Sequence, residues 1–303
     1  MPSFHHLHLN SVDPDAAIDF YTAQFGSTSR TTWGGLPALA SPNNVLILFT
    51  QVPTAPATSP QSAIWHFGWH ATDSRAALET YRARTGLKLL PLYTGDHDRR
   101  VFISSDTWPG TGGVLGRTAA QIAEARATGV EPTRTAGFAY MEGPDNAIVE
   151  YAGNYPAERF NHVHMFQEDP LCAELWYREH LGASLLQDRA ALSAATCKVA
   201  RGPDRTFPAL EPAGMFRTPS GGVAFGDVWL PWYMRQGDRP LVSSRGSLYD
   251  HFALSVSGLD AWIDKLRSDG VTVLHEPYAL GDTRAAMIAG PSQEAIELVE
   301  ASD

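Results

Sequence analysis

One phrase recurs four times along this chain, and it limits the fold more than any other feature. Residues 6–26 read HLHLNSVDPDAAIDFYTAQFG and residues 66–86 read HFGWHATDSRAALETYRARTG. Residues 162–182 read HVHMFQEDPLCAELWYREHLG and residues 251–270 read HFALSVSGLDAWIDKLRSDG. The lead histidines are His6, His66, His162 and His251. Asp13, Asp73, Asp169 or Gly258 follows, and then Gly26, Gly86, Gly182 or Gly270 closes the phrase. A phrase repeated at this length is one supersecondary unit used again and again.

The unit can be read physically. A short strand-like stretch follows each lead histidine, although polar residues interrupt it. Asp13, Asp73 and Asp169 suit the helix N-cap, where a carboxylate accepts from free N–H groups of the first turn. Pro14 and Pro170 stand at the first helical position, where no donor is lost. The closing glycine permits a left-handed C-cap. Strand-rich sequence follows each helix: 44–50 in unit one; 100–106, 137–143 and 147–153 in unit two; 222–233 in unit three; 270–276, 284–290 and 295–300 in unit four. The pattern is βαβββ, four times. Units two and four close alike, GPDNAIVEYAG against GPSQEAIELVE, which puts Glu150 and Glu297 in equivalent places.

The chain divides near 155–160, at NYPAER, with two units on each side. The expected domains are therefore 1–155 and 156–303, and 303 residues suffice for two cores. Two inserts break the rhythm: 106–136, with a helix-like RTAAQIAEARATG, and 201–222, rich in Pro, Gly and Arg. A net charge of −10 argues against nucleic acid or an anionic membrane as partner. Met1-Pro2-Ser3-Phe4 shows no basic region before an apolar stretch, and no apolar run reaches membrane-span length. Cys172 and Cys197 form no CxxC and no disulfide framework, so a cytoplasmic location is expected. No GxSxG, P-loop or dinucleotide fingerprint is present.

Four βαβββ units, with a histidine on the first strand and a glutamate on the last, resemble the vicinal oxygen chelate superfamily of glyoxalases, bleomycin-resistance proteins and extradiol dioxygenases. The resemblance implies an α+β fold in which paired units curl into two cup-shaped mixed sheets, each around one divalent metal. It implies His6, His66, His162, His251, Glu150 and Glu297 as metal ligands. If adjacent units pair, the sites are His6, His66, Glu150 and His162, His251, Glu297; any pairing of an odd with an even unit also supplies two histidines and one glutamate. Such a set leaves coordination positions open and suits Fe(II), with Mn(II), Zn(II) or Ni(II) as alternatives.

Other residues acquire roles by position. His8 and His164 lie two after a lead histidine, on its strand face, as acid/base or cavity groups. His5 faces the other way by the same alternation and reads as structural. His70 reads as a substrate contact or a cap-region group. Trp69, with Trp65, Phe67, Tyr151, Trp229, Trp232 and Tyr233, supplies apolar wall or sheet core. Tyr140, ten before Glu150, resembles the tyrosine of extradiol enzymes that hydrogen-bonds substrate oxygen. Glu131 stands where that signature has a histidine, and His97 is the nearest acid/base candidate. Glyoxalase sites commonly add a fourth protein ligand on the partner unit's last strand, where Gln51 and Asp227 are nearest. The expected function is a metal-dependent, dioxygenase-type oxidoreductase acting on a small aromatic or enolisable molecule. A glyoxalase-like lyase or isomerase and a metal-free binding protein are the alternatives, and a homo-oligomer is left open.

Overall fold

A computed structural model describes residues 1–93, 100–101, 123–124, 127–129, 137–153, 155–189, 191–202 and 209–301. Each unit forms as its sequence dictates. Unit one contains β1 (Ser3–Ser11), α1 (Pro14–Gln24), β2 (Ser29–Trp33), β3 (Leu36–Ala40) and β4 (Leu46–Gln51). Unit two contains β5 (Ile64–His70), α2 (Ser74–Ala83), β6 (Leu89–Leu90), the small β7 (Leu92–Tyr93) and β8 (Arg100–Val101) pair, β9 (Phe138–Glu142) and β10 (Ile148–Ala152). Unit three contains β11 (Arg159–Gln167), α3 (Pro170–Leu181), β12 (Ser184–Leu185), β13 (Ser220–Phe225) and β14 (Val228–Met234). Unit four contains β15 (Tyr249–Val256), α4 (Leu259–Ser268), β16 (Val273–Leu280), β17 (Thr283–Ala289) and β18 (Ala295–Glu300).

The helix signals hold with two exceptions. Asp13 and Asp73 accept from the N–H groups of Ala16 and Ala76, but Asp169 makes no side-chain cap bond. Gly86, Gly182 and Gly270 take positive φ, whereas Gly26, which follows the C-cap Phe25, does not. Stretch 222–233 proves to be two strands turning at Gly226. Most of insert 106–136, with Glu131, lies outside the described residues, as does His97. Cys172 and Cys197 are joined by a disulfide, a pairing across 25 residues that the sequence reading did not anticipate. Among the described residues no helix is long and apolar enough to cross a membrane.

The units do not pair as one with two and three with four. One eight-stranded sheet runs β16-β17-β18-β15-β1-β4-β3-β2, joining units one and four. The other runs β12-β13-β14-β11-β5-β10-β9-β6, joining units two and three. The seams are the antiparallel pairs β1/β15 and β5/β11. Linker length explains the arrangement. The short 153–158 link carries the chain from β10 past β5 to β11 within one sheet, while the longer 52–63 and 235–248 links cross between sheets. NYPAER is thus a connection inside a sheet.

One hydrophobic core joins the sheets. Phe4 and Phe252 of the first meet Phe160 and Phe67 of the second, and Tyr21 of α1 stacks on Trp69. Two turns latch the sheets by equivalent bonds. Ser11 of β1 donates to Asp145 in the turn before β10, and Ser292 in the turn before β18 donates to Gln167 of β11.

Candidate metal centres

Each seam carries a β-bulge immediately before every lead histidine. Pairing steps from Phe4↔Leu254 to His6↔Ala253 and from His8↔His251 to Leu9↔Tyr249, so His5 and Asp250 are the extra residues. In the other sheet Asn161 and Trp65 are extra by the same steps. A bulge suspends strict side-chain alternation. His5 therefore does not face away: its Nδ1 lies 2.8 Å from His6 Nδ1. Asn161 Oδ1 accepts from His162 Nδ1 at 2.5 Å, and Asp250 Oδ1 accepts from His251 Nδ1 at 2.6 Å. Fixing Nδ1–H this way leaves the Nε2 lone pair of each ring aimed inward, the form a metal needs.

In the sheet of units one and four, His6 Nε2 lies 3.3 Å and His251 Nε2 3.8 Å from Glu297 Oε2. All three atoms are buried, and none has a hydrogen-bond partner among the described residues. Three orphaned buried donor atoms aimed at one point are costly unless something binds them, and their chemistry fits a divalent cation. His8 also falls within 4.8 Å of His6 and His251, but its Nε2 is held by Thr50 Oγ1 at 2.8 Å. The orphaned atoms therefore favour His6, His251 and Glu297 as the ligand set. Tyr278 of β16 donates to Glu297 Oε1.

Units two and three give the mirrored set. His66 Nε2 is 3.0 Å from Glu150 Oε2, and His162 Nε2 is 3.3 Å from His66 Nε2 and 3.7 Å from Glu150 Oε2. The donor atoms of His66, Glu150 and His162 lie within 4.8 Å of one another, which also fits a divalent cation. Tyr140 pairs with Glu150 in register, hydrogen-bonds it, and sits edge-on to His66 with centroids 5.2 Å apart. His164 stacks on His66 at 5.0 Å and approaches Tyr233 at 4.6 Å. Gly68 is required here. A Cβ on it would collide with the His162 ring and come within 2.9 Å of Glu150 O. Ala253 takes the corresponding place opposite His6.

Burial sets the protonation states. It drives His6 well below the usual histidine range, with His251 as the next contributor, and takes His8 to about 3. Burial takes His66 to about 4, against the opposing pull of Glu150, and places His164 well below the usual range. These rings are neutral near pH 7, as ligation demands. Burial would raise Glu150, but His162 and His66 hold its carboxyl well below the usual range. In Glu297 burial prevails over His251 and Tyr278, and the carboxyl is raised. Burial would likewise raise Asp250, yet His251, Gly246 N–H and Arg245 hold it at about 2.

The structure thus regroups the six expected ligands as His6, His251, Glu297 and His66, His162, Glu150. Adjacent-unit pairing would have put His66 with His6. Trp69 is not in either cup; it is wholly buried against Phe25, with centroids 4.0 Å apart, on the core side of β5. His70 stacks on Tyr155 at 3.5 Å. Gln51 and Asp227 do not supply a fourth ligand. Gln51 donates to Val12 O, and Asp227 pairs with Arg159 and Asn43. On the parallel pairs, the place equivalent to Glu297 is Leu48 on β4, and the place equivalent to Glu150 is Pro231 on β14. Sequence reading missed Tyr278, Asp250, Asn161 and Gly68. The Asn-His and Asp-His dipeptides at 161–162 and 250–251 were the available signal.

A 520 Å³ cavity opens on the first triad, lined by His8, Thr50, His251 and Glu297 and by apolar side chains including Leu48 and Met287.

Comparison with known proteins agrees with this architecture. A family model described as the Glyoxalase/Bleomycin resistance protein/Dioxygenase superfamily matches residues 159–298. Glyoxalase I from Zea mays aligns with a TM-score of 0.62 over 99% of this chain and 92% of that one, at 16% identity. A presumed dioxygenase from Bacillus subtilis aligns with a TM-score of 0.55 over 98% of this chain and 84% of that one, at 10% identity. At such identities these structures attest the fold. No curated protein sequence matches the chain. Residues 159–298 thus match a domain of the glyoxalase/bleomycin resistance/dioxygenase superfamily, and the chain as a whole shares its fold with these two structures.

Proposed function

We propose that the chain is a metal-dependent, dioxygenase-type oxidoreductase whose active site is the cup of His6, His251 and Glu297, with Fe(II) the favoured metal. The carrying observation is the ligand count. The fourth position, where a glyoxalase-type site would place a carboxylate, is Leu48. His6, His251 and Glu297 would hold the cation, and so small a protein ligand set would leave it free to bind a chelating substrate and a small co-substrate. A divalent ion held there would supply Lewis acidity toward neighbouring substrate oxygens.

The protein's own groups do the rest. Asp250 holds the His251 Nδ1–H, and Tyr278 holds Glu297 Oε1, so that Oε2 and Nε2 face the same point. His8 stacks on His251 at 4.6 Å, and Thr50 fixes its ring, which places it to exchange a hydrogen bond with a substrate hydroxyl. Leu48, Leu280 and Met287 give the cavity an apolar wall that suits an aromatic body.

The test is elemental analysis of tag-free protein purified without oxygen, followed by oxygen uptake with catechols and other enolisable aromatics. Iron with substrate-dependent oxygen uptake is expected. Zinc, nickel or manganese with no uptake would replace the reading by a lyase or isomerase. Protein that takes up no metal would leave a binding protein.

A further inference from the structure

The cavity over the His6, His251 and Glu297 cup is lined by a cationic side chain that the ligand set does not use. Arg245 lines it, although the chain as a whole carries a net charge of −10. Its Nη1 donates to Asp250 Oδ1 at 2.6 Å and lies 3.3 Å from His251 Nδ1. The oxygens of Asp250 are otherwise spoken for. Oδ1 also takes His251 Nδ1–H, and Oδ2 accepts from Gly246 N at 2.7 Å and Asn10 Nδ2 at 3.4 Å. Asp250 therefore fixes the guanidinium without covering it. Among the described residues no acceptor meets Arg245 Nη2 or Nε, and the side chain is 48% exposed. His275 lines the cavity as well, with Nδ1 held by Glu276 O at 2.7 Å, which leaves Nε2 as a second polar group. The rest of the lining includes the apolar side chains of Leu36, Leu274 and Leu280.

We infer that this cup selects a substrate bearing a carboxylate remote from its metal-chelating oxygens, on an apolar body, and that Arg245 is the specificity-determining contact. The physical basis is the guanidinium fork. It presents parallel N–H groups that match a carboxylate in two-point geometry, and such charge-assisted bonds are about twice as strong as neutral ones. One guanidinium, partly offset by Asp250, suits a single negative charge. The inference rests on reading this cup as the active site, and it specifies the substrate class.

The test compares 3-phenylpropanoate with the neutral 3-phenylpropanamide by isothermal titration calorimetry. Wild type, Arg245→Gln and Arg245→Lys are each titrated metal-loaded and after chelator treatment, with metal content measured alongside. Wild type is expected to bind the acid about tenfold or more tighter than the amide in both forms. Arg245→Gln should erase that preference while keeping amide affinity, and Arg245→Lys should restore part of it. Equal binding of acid and amide by wild type would overturn the inference. So would a preference that survives in Arg245→Gln, or one present only in metal-loaded protein, which would assign the carboxylate to the metal. A preference kept in protein that never takes up metal would sink the metalloenzyme reading and leave Arg245's role standing.

Discussion

In the cup of units one and four, Glu297 Oε2 and the Nε2 atoms of His6 and His251 face one another with no hydrogen bond made. In the cup of units two and three, the equivalent Glu150 Oε2 and His66 Nε2 are hydrogen-bonded at 3.0 Å. The parts are the same, and their resting states differ. A cation entering the first cup finds donor atoms with nothing to give up. A cation entering the second must break a bond to a charged group, worth about 1.5–3 kcal/mol. The first cup leaves its three facing atoms without hydrogen bonds, and the second closes a hydrogen bond between two of its own.

The largest expected effect is on metal binding and turnover. Stepwise metal titration should show two phases, the first tighter by about tenfold or more, since about 1.4 kcal/mol is a factor of ten. His251→Ala should remove the tight phase together with catalytic activity, and His162→Ala should remove only the weak one. Loss of the tight phase in His162→Ala would invert the comparison and move the active site to the second cup.

The next test breaks the second cup from beneath. Gly68→Val places a branched side chain where the His162 ring now lies. The weak phase should disappear, and overpacking should cost about 1–3 kcal/mol of stability by chemical denaturation. The tight phase should stay, because Ala253 already fills the corresponding place beside His6. A Gly68→Val protein with both phases intact would show that His162 is not a ligand.

Tyrosine placement sharpens the same contrast. Tyr140 reaches Glu150 from the neighbouring strand β9, whereas Tyr278 reaches Glu297 from β16, on the far side of β17. Tyr278→Phe should weaken the tight phase about 10-fold, at the lower end of what an outer partner of a metal ligand contributes. An unchanged titration would make the Tyr278–Glu297 bond incidental.

These residues also show what could be read from the chain. Four lead histidines at the head of one repeated phrase, and two glutamates at the same place in a shared closing phrase, made the unit and its candidate ligands legible. The partnership of the units was not read, although the brevity of NYPAER against the longer links at 52–63 and 235–248 held the information. His5 was assigned to the wrong face because alternation assumes an unbroken ladder, and a bulge before each lead histidine breaks it. Tyr278 and Arg245 carry no local signal. They arrive at the cup through sheet order and loop path, which only the folded chain defines. Trp69 looked like an aromatic wall beside His70, but Phe67 and Trp69 face the core.

The smallest effect concerns the latches that hold the two sheets together. The turn before β18 carries a buried Glu294 where the turn before β10 has Ala147. Glu294 accepts from Gln167 Nε2 at 2.8 Å, Tyr177 Oη at 2.6 Å and Ser292 N at 2.8 Å. Burial nevertheless raises its carboxyl above the usual range, against the pull of Tyr177 and Gln167. A carboxyl raised on folding favours the native state below its unfolded value, near 4.5, and loses that contribution as pH climbs through the folded value. Glu294→Gln keeps an oxygen for two donors and leaves the Ser292 N–H facing an amide, at a cost of about 1–3 kcal/mol. The stability gap between wild type and Glu294→Gln should therefore be widest near pH 4 and should narrow toward neutrality in metal-free protein. A gap that is flat, or that widens with pH, would mean that Glu294 is held as a carboxylate by its three donors. The unit-four latch would then be a built ionic anchor with no counterpart at Ala147.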